Sequence, residues 1–329
     1  MKLAFLIDPL VSLKAYKDSS VAMMRAAQAR GHEVWVFERK HLSWQSEGVG
    51  TARRSGVHAL ATQIEVGADD HEWFSLRTSK LCDLCEFEVV FMRQDPPFDA
   101  EYLSATWLLE RAEQAGVRVV NAPRAVRDHS EKISITEFPA LIPATLVSRD
   151  ATQLQAFIDT HYDTVLKPLD GMGGSRIFRV RADDPNRNVI IETLTRDGAE
   201  TIMAQGYLPA ISEGDKRILI INGEPMPYSL ARIPKPGESR GNLAVGGRGV
   251  VQALSASDWQ IANQLGPLLA ARGLLIVGID VIGNRLTEIN VTSPTCFVEI
   301  SRESGVDIAG KVLDAVERDV IKQGAVERG

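Results

Sequence analysis

The chain has 329 residues, 44% hydrophobic and 24% charged, which is ordinary for a soluble globular protein and long enough for two or three domains that share cores. Its 43 acidic side chains outnumber 37 basic ones, so no overall positive field attracts nucleic acid, and an anionic ligand needs a local basic cluster. Apolar runs are only strand-length, which excludes a transmembrane helix, and Asp8 interrupts the N-terminal apolar stretch too early for a signal peptide.

Met1 to Ile7 is expected to form a short buried strand. Ser19 to Arg30 has helical spacing, with Val21, Met24 and Ala27 on one stripe and Gly31 as its stop. His32 to Phe37 alternates as a strand and completes a βαβ unit. The first turn lacks GxGxxG, so a dinucleotide fingerprint is absent. Lys17, Asp18, Ser19 and Ser20 lie just before or at the helix start. Free N–H groups there can hold a carboxylate or phosphate, or Ser19 or Ser20 can simply cap the helix; spacing alone favours capping. His41 to Glu72 reads as loops with short strands. Cys82 and Cys85 form a lone CxxC, and three cysteines make neither a zinc site nor a disulfide framework, so a reducing cytoplasm is expected. Glu86 to Met92 is another buried strand, with Arg93 at its carboxyl end, where ligands bind in open α/β sheets. Tyr102 to Gln114 reads as a helix, Val117 to Val120 as a strand, and Asn121-Ala122-Pro123 as a boundary.

Beyond it, Arg124 to Phe138 reads as a helix carrying Lys132, Gln153 to His161 as another, and Asp163 to Pro168 as a strand. The turn LDGMGGSRIFRV has glycines at 171, 173 and 174 but no GK[ST], so it is not a Walker A loop. Its N–H groups can still cradle a phosphate, and Lys167, ending an apolar strand, calls for an anion. Gln205 to Pro209 looks like a linker between lobes. Lys216 to Leu230 is a hairpin turned on Asn222-Gly223, entered past Arg217 and left at Arg232. Residues 233–249 hold five glycines and carry Arg240 and Arg248; a loop of that length and composition suits a lid. Trp259 to Ala271 and Ala309 to Gln323 are helices. Between them lies GIDVIGNRLTEINVTSP, a second hairpin. Glu288 and Asn290 share one strand face. A three-residue turn, Gly283 to Arg285, sets Asp280 opposite Glu288; a two-residue turn sets it opposite Thr287 and weakens the cluster. In the first register two carboxylates and an amide oxygen converge, and oxygen-only ligands suit Mg²⁺.

These motifs in this order are Lys132, Lys167 before GMGGS, GDKR at 214–217, LARIPKPGESRGNLAVGGRG, and DVIGNRLTEINVTSPTC. They resemble the ATP-grasp superfamily and, within it, bacterial glutathione synthetase. IDP and KDSS near the start and MRQDPPFD support the resemblance. It implies an α/β (α+β) ATP-grasp fold with an N-terminal Rossmann-like parallel-sheet domain. The implied divisions are 1–122 for substrate, 123–203 for the central lobe and 204–329 for the C-terminal lobe with the lid. It implies Mg²⁺ (or Mn²⁺) on Asp280, Glu288 and Asn290. ATP would lie against Lys132, Lys167, Gly171, Gly173, Gly174, Ser175 and Asp215, with Arg217, Arg232 and Arg240 as catalytic residues. The peptide would sit at Lys17, Asp18, Ser19 and Arg93. The implied reaction phosphorylates the cysteinyl carboxylate of γ-glutamylcysteine with ATP; glycine then attacks the acyl phosphate, giving glutathione, ADP and phosphate. A cytoplasmic homotetramer follows from the same resemblance, with no nucleic-acid or membrane partner. The rivals are another carboxylate–amine ligase, such as a D-alanine–D-alanine ligase, a kinase on the same fold, and a nucleotide-binding regulator without catalysis.

Overall fold

A computed structural model describes residues 1–46, 55–171, 173–235, 241 and 246–326, with side chains up to residue 321. Three sheets organise these residues. The first is built on β1 (Lys2–Leu6) and β2 (Glu33–Phe37), which are parallel and joined by α1 (Ser19–Ala29). The helix is capped by neither Ser19 nor Ser20 but by Asp18, whose Oδ1 accepts the backbone N–H of Ser20 at 2.7 Å and of Val21 at 2.9 Å. A carboxylate is the stronger acceptor at a helix N-terminus, and it frees both serines for tertiary contacts. Ser19 Oγ accepts the N–H of Phe297 at 3.2 Å, and Ser20 Oγ accepts from Arg93 Nε at 3.2 Å.

The stretch expected to be loops with short strands holds β3 (Leu42–Ser46) and the twelve-residue β4 (Ser55–Val66), longer than expected, and β5 (Phe74–Asp83) beyond it pairs antiparallel with β4. The 41–72 stretch misleads because the inward face of β4, Val57, Ala59, Ala61, Ile64 and Val66, changes phase at an irregularity between Thr62 and Ile64, so no unbroken alternation marks the strand. Parallel strands β6 (Val89–Met92) and β7 (Arg118–Val120), with α2 (Ala100–Gln114) between them, complete the sheet.

The single helix expected over 124–138 is broken. Only α3 (Pro123–Asp128) and a 3₁₀ turn at Ile133–Glu137 form. The backbone between and after them bonds elsewhere: Glu131 O, between the two, accepts the N–H of Ile289 at 2.9 Å, and Leu141 O, after the 3₁₀ turn, accepts that of Leu286 at 2.9 Å. These bonds cover the free edge of the last strand and carry Glu131 and Lys132 to it.

The second sheet is antiparallel: β8 (Thr145–Ser148), β9 (Asp163–Pro168), β10 (Phe178–Arg181) and β11 (Ile202–Gly206). Helices α4 (Ala151–His161) and α5 (Arg187–Thr195) pack on it around a small core of their own, including Leu154, Ile158, Leu166 and Ile202. The third sheet is β12 (Asp215–Ile221), β13 (Glu224–Ile233), β14 (Arg248–Ala253), β15 (Ile276–Ile282) and β16 (Arg285–Asn290). Helix α6 (Ala256–Ala271) starts with a capping box at Ser255 and Asp258. Two final helices, α7 (Phe297–Ser304) and α8 (Ile308–Val326), return to pack on α1, so the end of the chain shares a core with its beginning. Asn121 fastens the same junction. Its Oδ1 accepts the N–H of Ile276, and its Nδ2 donates to Ile276 O and Val291 O, each at 2.8 Å.

Candidate active site

A cleft of about 620 Å³ opens between the second and third sheets and runs to the start of α1. The β15–β16 hairpin supplies its acidic wall. The turn takes two residues, Gly283 and Asn284, since Ile282 pairs with Arg285. Yet Asp280 still faces Glu288, because a bulge after Leu286 inserts Thr287. The Thr287 hydroxyl donates to Asp280 O at 3.1 Å and holds the bulge shut. The expected convergence of Asp280, Glu288 and Asn290 is therefore reached by two-residue turn plus bulge, not by a three-residue turn. Lys216 Nζ fixes the turn by donating to Gly283 O at 2.9 Å.

Asp280, only 3% exposed, sits between two guanidiniums. Arg217, facing it across β12, donates from Nε at 2.5 Å and from Nη2 at 3.0 Å. Arg232 Nη2 lies 2.9 Å from Asp280 Oδ2, the oxygen it shares with Arg217 Nη2, and 2.5 Å from Asp215 Oδ2. Burial opposes ionisation of Asp280, but the two arginines overcome it and hold the carboxyl well below the usual range. Asp215 fares differently: burial pushes it up to about 6 against the pull of Arg232. It is still an acceptor at neutral pH, and its buried Oδ1 has no partner among the described residues.

The lysines approach from the second sheet side. Lys132 Nζ is 2.9 Å from Glu288 Oε1 and donates to Gly171 O at 2.6 Å, so it ties the glycine turn to β16. Burial lowers the Lys132 pKa, but Glu288 more than offsets this and raises it. Lys167 donates to Thr287 O at 3.1 Å. Burial lowers its pKa, Glu288 only partly offsets that, and neighbouring Lys132 lowers it further. A buried ammonium without a paired carboxylate is a site for an incoming anion.

Gly171, Gly173 and Gly174 line the cleft with Lys17, Asp18, Lys132, Lys167, Asp215, Arg217, Arg232 and the three hairpin residues. Ser19, Ser175 and Arg93 do not reach it. Arg93 stands behind the wall, with Nη2 donating to Pro294 O at 2.7 Å. It braces the segment after β16 against α1. Arg240 lies outside the described residues, as does most of the 233–249 loop.

Two residues escaped the sequence reading. Glu131 accepts from Val291 N at 2.9 Å, Thr292 N at 3.1 Å and Thr292 Oγ1 at 2.8 Å, which fixes the exit of β16. Gly278 lies under the stem of Arg217; a Cβ there would stand 2.9 Å from Arg217 Cδ. Its only signal was a glycine inside a strand, which marks close approach. Cys296 lies in the same wall, but burial pushes its thiol up, as it does for Cys82 and Cys85, so none is poised as a thiolate.

Among the described residues, no three His, Cys, Asp or Glu side chains cluster as a metal site. The hairpin offers two carboxylates and an amide, whose Nδ2 is fixed on Gly278 O at 3.0 Å. That set of hard oxygens, partly neutralised by cations, fits a divalent ion that draws its other ligands from phosphate and water.

Residues 1–127 match the family model for the prokaryotic glutathione synthetase N-terminal domain, and residues 131–305 match that for its ATP-grasp domain. The chain belongs to the prokaryotic glutathione synthetase family. It is an ATP-dependent ligase that forms glutathione, and the family works with ATP and a divalent metal. The glutathione synthetase of Nitrosomonas europaea is 52% identical over 323 residues, covering 98% of this chain and 99% of the relative. That of Escherichia coli K12 is 50% identical over 323 residues, covering 98% and 100%. The D-cycloserine synthetase DcsG shares the fold at a TM-score of 0.65 and 15% identity, over 96% of this chain and 100% of that one. The ATP-grasp ligase PsnB with its minimal precursor does so at 0.62 and 19%, over 98% of each chain. These relatives favour glutathione formation over the D-alanine ligase alternative.

Proposed function

We propose that the cleft joins γ-glutamylcysteine to glycine in two steps. The cysteinyl carboxylate first attacks the γ-phosphorus of ATP and releases ADP; the glycine nitrogen then attacks the acyl carbon and releases phosphate. The observation that carries this reading is the bulged register that sets Asp280 opposite Glu288 beneath four buried cations, Lys132, Lys167, Arg217 and Arg232. Two anions must meet in the first step, and preorganised positive charge in a site shielded from water is what lowers that barrier.

In this assignment Lys132, Lys167 and the turn at Gly171, Gly173 and Gly174 hold the ATP phosphates, with Ser175 behind that turn, and the unpartnered oxygen of Asp215 accepts from a nucleotide hydroxyl. Arg217 and Arg232 steady the transferring phosphoryl group and the carbonyl oxygen. Asp280, Glu288 and Asn290 would hold Mg²⁺ (or Mn²⁺), which when bound neutralises phosphate charge as a Lewis acid. Lys17 and Asp18 face the peptide, while Ser19 and Arg93 keep that wall in place. No protein nucleophile is required.

We assign residues 1–122, 123–203 and 204–329 to substrate, central and C-terminal lobes, and propose a cytoplasmic homotetramer. No helix among the described residues is long and apolar enough to cross a membrane. Hydroxylamine tests the intermediate: with ATP, divalent metal and γ-glutamylcysteine but no glycine, it should trap a cysteinyl hydroxamate. ATP turnover that yields glutathione but never a hydroxamate would count against an acyl phosphate.

A further inference from the structure

The cleft continues past the lysines to a second end, between the starts of α1 and α7. Lys17, Asp18 and Glu299 line it. Glu299 lies in the first turn of α7. Its Oε2 is shut off from solvent and has no hydrogen-bond partner among the described residues. Asp18 already uses Oδ1 on the backbone of α1. This end is rigid: Ser19 accepts from the N–H of Phe297, and Arg93 bridges Ser20 Oγ to Pro294 O.

A desolvated carboxylate oxygen without a partner is costly, and a cationic donor relieves that cost. Burial accordingly pushes the Glu299 carboxyl up, although Lys17 and Arg302 oppose this. Two groups among the substrates are ammonium ions. The glycine nitrogen must lose its proton and attack, so it cannot stay locked in an ion pair. The α-ammonium of the glutamyl residue takes no part in the chemistry and sits at the peptide end remote from the reacting carboxylate.

We propose that Glu299 receives the α-ammonium of the γ-glutamyl residue, with Lys17 beside it balancing the α-carboxylate of the same residue. The proposal rests on γ-glutamylcysteine being the peptide substrate. It makes Glu299 a specificity residue, one that separates a γ-glutamyl peptide from other acylated cysteines.

Glutarylcysteine, which keeps the chain and lacks the ammonium, is the probe. The wild-type enzyme should show a KM for it about 10- to 100-fold above that for γ-glutamylcysteine, the scale of one charged hydrogen bond. Glu299→Gln should raise the KM for γ-glutamylcysteine by a similar factor, leave the KM for ATP and glycine unchanged, and treat the two peptides alike. A variant that loses equally on both peptides would assign Glu299 to capping α7 and overturn the proposal, as would a rise in the glycine KM instead. If the variant does not fold, the wild-type comparison decides: equal KM for the two peptides overturns the proposal. Failure of the wild type to turn over either peptide would instead overturn the substrate reading beneath it.

Discussion

Asp280→Asn tests the centre of the charge network. The side chain keeps its shape but loses the charge that two buried arginines share, Arg217 at 2.5 and 3.0 Å and Arg232 at 2.9 Å. In either orientation the asparagine NH₂ stands where a carboxylate oxygen accepts from a guanidinium, so at least one donor faces another donor. Removing one partner of a buried pair costs about 3–5 kcal/mol, because the remaining charge stays desolvated. Asp215 still holds Arg232, so the loss should fall near the lower end of that range. Urea unfolding of the metal-free enzyme at pH 7, followed by tryptophan fluorescence, measures it. The pH dependence gives a second test with a defined sign. The folded Asp280 pKa is depressed, so its contribution is complete above the unfolded value, about pH 4. It is lost as the pH falls toward the folded value. Asp215, lifted to about 6 by burial and in part by Asp280, titrates above that range, so the Asp280 signature is a gap between wild type and variant that narrows as the pH falls below about 4. A difference below about 1 kcal/mol at pH 7, the size of an exposed pair, or a gap that widens in acid, would refute the reasoning.

Three further substitutions probe the other parts. Glu288→Gln removes charge from the metal-facing strand and should lower turnover at least about a hundredfold; near-normal turnover at ordinary Mg²⁺ removes Glu288 from the site. Lys167→Met should raise the KM for ATP and lower turnover while the fold survives. If the variant unfolds yet its folded fraction handles ATP normally, Lys167 is a structural lysine. Gly278→Ala places a Cβ 2.9 Å from Arg217 Cδ and 3.2 Å from Pro294 Cβ. The guanidinium must shift, so turnover should fall roughly 10- to 100-fold with little loss of thermal stability, and unchanged turnover would show that Arg217 has freedom to spare.

Sequence reasoning located the chemistry better than the architecture around it. Asp280, Glu288, Asn290 and Lys167 stood out because charged or amide side chains sat in or beside apolar strands, while Lys132 came only from the family resemblance, and all line one cleft. Their register was open in the sequence, since turn length does not reveal a bulge; Thr287 decides it through a backbone contact seven residues back. The helix expected at 124–138 failed because its backbone bonds to β16, a partner some 150 residues away that local propensity cannot sense. The strands within 41–72 were hidden for a different reason: the inward face of β4 changes phase between Ala61 and Ile64, which breaks the alternation that marks a strand. Arg93 was placed correctly at a strand end, but its side chain turns to Pro294 rather than to the cleft, and the direction of a side chain is not written in its spacing.

The central claim is ligation through an activated cysteinyl carboxylate, and the ADP balance tests it most directly. ADP, phosphate and peptide product are quantified together with γ-glutamylcysteine, ATP and divalent metal, with glycine, with D-alanine, or with no amine added. The account predicts one glutathione for each ADP and phosphate with glycine, and far slower ADP release with D-alanine alone or with no amine. Rapid ADP release without an amine, leaving a stable phosphorylated product and no peptide bond when glycine is added, would contradict it.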